Sequence, residues 1–306
     1  MRSPASTAPV RRPLDLRAVL IVLTLCVIWG IQQVAMKVVA ADVAPTMQLA
    51  IRFAVAAVFF GVLLFRREGS GALADGTLRS GLALGGMFSL EFVLIGEALA
   101  HTTAAHTVVF LYSSPIFTAL GLQFLPEERL RRLQWAGIAV AFLGIVVAFI
   151  GPAGRPVGEV ITGDFLALCA GASWGLTNVV LRRGRVGNAT TVKTVFYQVG
   201  MAAAILLLFS AHSGQAHVVL SAAAIASLVF QTLVIAIASY LLWFWLLRHY
   251  LTSRLMMLSL LTPLFGVLFG AMLLGDPIDP RFAIGASLVL VGIIIVNARQ
   301  LLERAR

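Results

Sequence analysis

WGIQQVAMK (29–37) and WGLTNVVLR (174–182) are two versions of one motif, placed 145 residues apart inside long apolar runs of a 306-residue chain. Four further pairs match between the two halves at a constant offset of 148: Pro115 and Pro263, Glu128 and Asp276, Gly137 and Gly285, Gly144 and Gly292. A small insertion or deletion between helices would account for the change from 145 to 148. The sequence therefore predicts two copies of one structural unit.

The composition places these copies in lipid. The chain is 60% hydrophobic and 12% charged, with a mean hydropathy of +0.96, whereas an ordinary soluble protein is about 25% charged. Too few polar residues are available to cover a water-exposed surface. The net charge of +10 raises the possibility of nucleic-acid binding. The charges lie in short clusters between apolar runs, so we expect no nucleic-acid partner.

Spanning a membrane takes about 20 apolar residues per helix, and backbone groups inside lipid must be satisfied within the segment. The sequence therefore predicts an all-α integral membrane protein whose connections are too short to hold a soluble domain. Ten transmembrane helices are predicted, over residues 17–38, 45–65, 80–100, 103–125, 132–151, 162–182, 191–211, 221–247, 252–275 and 281–299.

The basic residues predict the orientation. With ten helices, 19 of the 23 lysines and arginines fall on one side, and the positive-inside rule makes that side cytoplasmic. Both termini are then cytoplasmic: residues 1–16 as a disordered segment and 301–306 as a tail. The first apolar run is too long for a cleaved signal peptide and carries the repeated motif, so we interpret it as a membrane helix.

Each copy holds five helices, over residues 17–151 and 152–300. Five is odd, so the second copy enters the membrane inverted. Glu128 is predicted in a cytoplasmic loop among arginines, and its partner Asp276 on the outside. Inverted repeats are typical of secondary transporters, with substrate sites near the bilayer midplane where the copies meet.

The segments HTTAAHTVVFLYSSPIFTAL (101–120) and SYLLWFWLLRHYLTSRLMMLSLLTPLFGVLFGAMLLGD (239–276), with the duplicated Trp-Gly motif, resemble the EamA family of drug/metabolite transporters. The resemblance covers residues 17–300 and extends in particular to the YddG-type amino-acid exporters. It implies two inverted five-helix units, a central cavity lined by helices 1, 3, 4, 6, 8 and 9, alternating access and export of small metabolites. The chain departs from the family pattern at Glu97, His101 and His106.

Two symmetry-related pairs are candidate cavity residues. Trp29 and Trp174 lie about 12 residues into their helices, near the midplane at about 1.5 Å rise per residue. They would stack on an apolar or aromatic substrate, or else pack helices together. Gln33 and Asn178 follow four residues later on the same helix face. Their amides would bind a polar group of the substrate or form interhelical hydrogen bonds.

Glu91 lies near the middle of helix 3, and its equivalent in helix 8 is Ser239. An ionisable group at that depth is a candidate functional residue. Glu91 would bind an amino group or carry a coupling proton, or it would pair structurally with Arg52. Tyr240 is a predicted cavity residue. His106, one turn into helix 4, would relay protons or serve as a satisfied helix-end histidine.

Tyr112 and Ser113 mark the midplane of helix 4 as further cavity residues, beside Pro115; Pro263 occupies the matching place in helix 9. Proline removes a backbone hydrogen bond and kinks a helix, and the freed carbonyls are tolerated where they face a cavity or protein. The two prolines are predicted to be paired hinges, with static kinks as the alternative.

The remaining distinctive residues have structural interpretations. Trp243 and Trp245 are predicted interface anchors. Three glycine pairs with small-xxx-small spacing predict close helix packing: Gly81 and Gly85, Gly171 and Gly175, Gly266 and Gly270. Cys26 and Cys169 fit neither a disulfide framework nor a metal site.

Enzyme chemistry is not expected, and neither is a cofactor. Residues 171–175 match G-x-S-x-G, but that motif needs a strand-turn-helix context, and here it falls in an apolar helix. There is no Walker A loop, and the only lysines are Lys37 and Lys193, so ATP hydrolysis is excluded.

We therefore predict a secondary transporter of the cytoplasmic (inner) membrane that exports amino acids, aromatic and other neutral ones, by alternating access. Its partners are the lipid bilayer and a small-molecule substrate, and it works as a monomer. Export of organic cations or drugs stays open, because a lone Glu91 in a neutral cavity suits a cation. An intramembrane enzyme using Glu91 and His106 and a passive channel also stay open.

Overall fold

The computed structural model describes residues 12–149, 156–275, 278 and 280–304. Within these residues the chain is helical, with no strand beyond two isolated bridges. The α-helices are α1 (Leu16–Val38), α2 (Pro45–Glu68), α3 (Leu78–His101), α4 (Ala104–Leu111), α5 (Ser114–Leu122), α6 (Arg132–Phe149), α7 (Val157–Arg183), α8 (Thr191–His212), α9 (Ala222–Phe230), α10 (Tyr240–His249), α11 (Thr252–Ser259), α12 (Thr262–Leu274) and α13 (Pro280–Arg304). A 3₁₀ turn covers Arg185–Asn188, and a π-helical segment, Gln231–Ser239, joins α9 to α10.

Eight helical segments of the described residues are long and apolar enough to cross a membrane. They are α1, α2, α3, α6, α7, α8, the continuous stretch Ala222–His249 and the stretch Thr252–Leu274. Two shorter apolar segments, His106–Leu122 and Pro280–Val296, lie where the remaining two helices are predicted. The all-helical membrane architecture is confirmed, and a total of ten crossings stays a prediction.

Two helices predicted to be continuous are broken. Helix 103–125 consists of α4 and α5, and helix 252–275 of α11 and α12. The two breaks correspond, because the bounds of α4 and the start of α5 map onto those of α11 and α12 at the same offset of 148. Each second half-helix has proline at its first turn, Pro115 or Pro263. Proline has no N–H to continue the hydrogen-bond ladder and is favoured where a helix starts.

Loop contacts define two ends of the helical body. At the first end, which we call the basic end, the Arg12 N–H donates to the His249 carbonyl (2.8 Å) and Lys193 Nζ lies 2.7 Å from Asp75. Arg182 pairs there with Glu127. At the opposite end, the distal end, contacts join Asp42 to Ser221 (2.5 Å), Thr46 to Gln215 (2.7 Å) and Thr102 to Asp164 (2.8 Å). Thus α1 starts at the basic end, whereas its matched helix α7 finishes there.

Glu128 lies in the loop between α5 and α6, as predicted, but its side chain is buried. It is 2% exposed, and its carboxylate accepts hydrogen bonds from the N–H groups of Thr252 (3.1 Å) and Ser253 (3.2 Å) at the start of α11. A helix N-terminus has unpaired N–H groups and a partial positive charge, both of which favour a carboxylate. Glu128 of the first unit therefore caps a helix of the second. Its predicted counterpart Asp276 lies outside the described residues.

Glycines set the closest helix contacts. A Cβ on Gly81 or Gly85 would meet Tyr197 atoms of α8 at 2.4 Å, and one on Gly171 would meet the Phe110 carbonyl at 2.7 Å. On Gly175 it would meet the Phe117 Cβ at 2.6 Å. Close packing at these two pairs is confirmed. Around Gly266, by contrast, the nearest atom is Gln33 Cγ at 3.7 Å, an ordinary contact.

Candidate functional site

The two tryptophans of the repeated motif lie in aromatic surroundings. Trp29 of α1 donates from its indole Nε1 to Ser239 Oγ at 2.9 Å, and its ring makes an edge contact with Trp243 at 5.4 Å between centroids. Trp174 of α7 makes a similar edge contact with Tyr112, at 5.5 Å. Edge-to-face pairs are favourable because the positive edge of one ring meets the negative face of the other.

Trp243 is not the interface anchor that its position suggests. It is 6% exposed and lies against Trp29. It follows Ser239 by four residues, which places both on one helix face. Trp243 thus follows Ser239 by four residues, just as Gln33 follows Trp29 by four residues. The interface-anchor interpretation is wrong for this residue.

Tyr240, which follows Ser239 in the chain, lies against a group of phenylalanines. Its ring centroid lies 6.2 Å from that of Phe53 on α2 and 6.0 Å from that of Phe88 on α3. Phe92, one turn after Phe88, contacts the rings of Phe53 and Phe88 at 5.3 and 5.0 Å. Helices α2, α3 and α10 thus form an aromatic enclosure, rich in large rigid surfaces that can pack around an apolar or aromatic ligand.

Glu91 lies beside this enclosure and is 7% exposed. Its Oε2 has no hydrogen-bond partner. The phenols of Tyr112 and Tyr240 both interact electrostatically with its carboxyl group. Glu91 is therefore within electrostatic reach of both tyrosines, and one of its carboxyl oxygens has no protein partner.

Six predicted site residues are brought together in this way. We call them the central cluster: Trp29, Glu91, Tyr112, Trp174, Ser239 and Tyr240. They come from α1, α3, α7, α10, the π-helical segment and the break between α4 and α5. Both repeat units contribute to the cluster. π-helical turns are often found at functional sites, and here such a segment ends at Ser239.

Three further predicted residues have different surroundings. Gln33 is exposed and lies against Gly266 of α12. Asn178 is buried, and its Nδ2 donates to the Trp174 carbonyl (3.1 Å) and approaches Thr118 and Met256. The Ser113 hydroxyl donates to the Phe110 carbonyl at 2.5 Å, which also accepts the Ser113 N–H at 3.2 Å. Asn178 thus joins α7 to α5 and α11, whereas the Ser113 hydroxyl bonds within its own segment.

His106 lies at the distal end, on α4. Its Nδ1 is 3.1 Å from both carboxylate oxygens of Asp164 on α7. The Thr102 hydroxyl donates to the same carboxylate at 2.8 Å. Sequence reasoning misses Asp164, because nothing in its local pattern separates it from an ordinary helix-end acid. It ties the start of α4 to the second repeat unit.

The described residues contain no group of three or more His, Cys, Asp or Glu side chains that could hold a metal ion. Cys26 is buried, with Sγ 3.6 Å from the Leu258 carbonyl, and Cys169 is half-buried. Both thiols are free.

Comparisons with known proteins identify the family. The profile of the EamA-like transporter family matches residues 16–150 and again 161–298. A probable amino-acid metabolite efflux pump of Salmonella typhimurium is 30% identical over 89% of this chain and 92% of its own length. The Escherichia coli protein of the same name is 28% identical over the same shares.

Further relatives agree with this assignment. An uncharacterized transporter of Bacillus subtilis is 23% identical over 89% of this chain and 94% of its own. A solved crystal structure superimposes with a TM-score of 0.77 over 92% of this chain and 98% of that one; at 20% identity it shows the fold alone. With two matched repeats, and eight long apolar helical segments among the residues that the structure describes, this chain is a multi-pass membrane transporter, not an enzyme, and it belongs to the EamA-like transporter family.

Proposed function

We propose that this transporter exports amino acids, aromatic and other neutral ones, across the cytoplasmic membrane by alternating access. The observation that carries the proposal is the central cluster. A buried carboxyl group with a free oxygen, Glu91, stands among tyrosine and tryptophan side chains from both repeat units. Such a site would hold an ammonium group at Glu91 and an apolar side chain against the rings. Two relatives are named as probable amino-acid metabolite efflux pumps.

The proposed topology follows the charge distribution. The basic end would face the cytoplasm, since arginines and lysines are retained on that side. The chain would cross the membrane ten times, with units over 17–151 and 152–300 in opposite orientations and both termini inside. The opposite directions of α1 and α7 support this arrangement. No contact in the site needs a second copy, so a monomer would suffice.

The paired helix breaks would supply the movement. The second half-helices α5 and α12 both start at a proline, beside Tyr112 and Thr262 respectively. Interrupted helices give a transporter positions where two halves can change angle without unfolding. Pro115 and Pro263 would act as the hinges, one in each unit.

Counterflow in proteoliposomes tests the function. Vesicles loaded with unlabelled phenylalanine would show transient accumulation of labelled phenylalanine, and labelled threonine and glutamate in parallel would define the breadth. Trp29→Ala and Trp174→Ala should each lower the initial rate at least tenfold, since each removes a large, half-buried ring from the central cluster. Trp245→Phe, on a ring outside the central cluster, is the matched control. With a passive channel, labelled phenylalanine would only equilibrate across the membrane and would not accumulate transiently inside the vesicles.

Export of organic cations is the second candidate, and Glu91 is the observation that favours it. A single buried carboxyl group with aromatic neighbours also suits a quaternary amine. Counterflow of a labelled quaternary amine, lost in Glu91→Gln, together with no accumulation of any amino acid, would replace the first proposal with this one. Labelled solute recovered unchanged by mass spectrometry would exclude chemical conversion in either case.

A further inference from the structure

A second buried charge lies next to the central cluster. Arg52, about two turns into α2, is 2% exposed, and its Nε and Nη1 atoms have no hydrogen-bond partner. Its guanidinium carbon lies 4.8 Å from the ring centroid of Phe53, which belongs to the aromatic enclosure. The phenol of Tyr240 interacts electrostatically with both Arg52 and Glu91. One tyrosine therefore connects a buried cation to a buried carboxyl group.

The two charges do not neutralise each other. Among the described residues no ion pair joins Arg52 to Glu91, and each retains side-chain atoms without partners. A buried charge without a partner is costly, and the cost is greatest inside a membrane. Direct pairing would be the simplest way to reduce this cost. The unpartnered atoms of Arg52 and Glu91 are therefore available to a group that arrives from outside.

The chemistry of that group follows from the two charges and the rings. A cation alone would satisfy Glu91 and leave Arg52 unpaired, and an anion alone would do the reverse. A zwitterion satisfies both. Guanidinium binds a carboxylate through two parallel hydrogen bonds in a planar fork, which combines Nη2 with either Nε or Nη1. Both Nε and Nη1 of Arg52 are without a partner. The aromatic enclosure then accommodates an apolar substituent between the two charges.

We propose that Arg52 binds the α-carboxylate of the transported molecule while Glu91 holds its α-ammonium group, so that the substrate class is free α-amino acids and excludes amines and carboxyl-blocked derivatives. This inference rests on the proposed function and adds a residue and a selection rule to it. Arg52 is a specificity-determining residue of the site rather than the structural partner of Glu91.

Wild-type protein supplies the first test, which needs no variant. Vesicles are loaded with unlabelled phenylalanine, and uptake of labelled phenylalanine is measured. Four unlabelled competitors are added outside in turn: phenylalanine, phenylalanine amide, phenethylamine and 3-phenylpropionate. We expect competition by phenylalanine alone, with each analogue at least tenfold weaker, because each leaves one buried charge unpaired. If the amide competes as well as phenylalanine, Arg52 does not bind the carboxylate.

Variants then assign the effect to the residue. Arg52→Gln should weaken the binding of phenylalanine about ten- to hundredfold, the range for a hydrogen bond to a charged group. Binding of the amide should not change. The preference for phenylalanine over its amide should therefore disappear. Arg52→Lys should retain part of it, because the charge stays and the fork is lost. Arg17→Gln, at an exposed arginine near Trp245, controls for the loss of a positive charge. Melting temperatures of all variants identify any that misfold.

Three results would overturn the inference. Equal losses for phenylalanine and its amide in Arg52→Gln would make Arg52 structural while amino-acid export stands. The Thr262 hydroxyl at the start of α12 also lacks a partner. If Thr262→Val abolishes the preference for phenylalanine over its amide and Arg52→Gln does not, the substrate carboxylate binds at the start of α12 instead. Uptake of phenethylamine or tetraphenylphosphonium with no amino acid transported would refute both the proposed function and this inference.

Discussion

Gly144 of α6 and Gly285 of α13 face each other so closely that a Cβ on Gly144 would come within 2.6 Å of the Gly285 carbonyl oxygen. The reverse contact, from Gly285 to the Gly144 carbonyl, would be 2.5 Å. Gly137 and Gly292 meet in the same way, at 2.9 and 2.5 Å. The four glycines that match between the repeats thus meet crosswise at the α6–α13 interface, Gly144 with Gly285 and Gly137 with Gly292.

Gly144→Ala should therefore destabilise the protein. The new methyl group meets backbone atoms, which cannot move aside as a flexible side chain would, so α6 and α13 must separate. We expect a loss of about 1–3 kcal/mol, the usual range for overpacking, seen as a lower melting temperature in detergent. Gly158→Ala on α7, where nothing lies within 4 Å, is the control. Equal melting temperatures for the two variants would show that this interface tolerates separation.

Asp75 and Lys193 give a pH-dependent contribution to stability at the basic end. Asp75, between α2 and α3, accepts hydrogen bonds from Lys193 (2.7 Å) and from the Thr77 hydroxyl (2.6 Å). These bonds, that of Lys193 first, lower the pKa of Asp75 from 3.8 to about 2. A carboxyl group whose folded pKa is depressed stabilises the fold above its unfolded pKa, and loses that effect as the pH falls through the folded one.

Asp75→Asn should accordingly lower the melting temperature at pH 7. The difference from wild type should begin to shrink below about pH 4 and close near pH 2, where the wild-type carboxylate is protonated. Melting curves across this range provide the measurement, with Asp42→Asn as a distal-end control. A difference that persists unchanged at pH 2 would mean that the Asp75 side chain acts through packing rather than charge.

The sequence is sufficient to predict the repeat and most of the central cluster. Trp29, Trp174 and the Glu91–Ser239 pair stand out because duplication marks equivalent positions and helical spacing gives their depth. The helix breaks cannot be resolved in this way, because a proline in a midplane run fits both a kink and a new helix start. From sequence alone Arg52 is only a candidate partner for Glu91, since its lack of an ion-pair partner depends on how α2 packs against the other helices.

The π-helical segment shows a further limit of sequence-based prediction. Its first residue, Gln231, is fully buried and donates to Gln48 of α2 at 2.7 Å. Nothing in residues 231–239 differs from an ordinary apolar helix, and α3, the equivalent helix of the first unit, is regular. The extra residue in the turn is thus a consequence of tertiary contacts, and only a structure can place it.

The His106–Asp164 contact should couple the two repeat units at the distal end. A charge-assisted hydrogen bond contributes about 1.5–3 kcal/mol, so a double-mutant cycle with His106→Gln and Asp164→Asn should give a coupling energy in that range. The measurement is the change in unfolding free energy of the two single variants and the double variant. Glu97→Gln combined with Asp164→Asn is the control pair and should be additive. Additive losses for His106 and Asp164 as well would show that the contact carries no coupling.

Replacing either proline should slow transport without weakening binding. Pro115→Ala and Pro263→Ala restore an N–H that can donate to the carbonyls of Leu111 and Ser259, so each broken helix can become continuous. A hydrogen bond gained is about 1 kcal/mol net, which favours the straight form about fivefold and depletes the form needed for turnover. Maximal counterflow rate should fall about fivefold in each variant and further in the double variant, with the half-saturating substrate concentration unchanged.

Pro45→Ala, at the start of the unbroken α2, is the matched control. An unchanged rate in both variants, with the helix breaks retained, would identify the prolines as static kinks and place the hinge elsewhere.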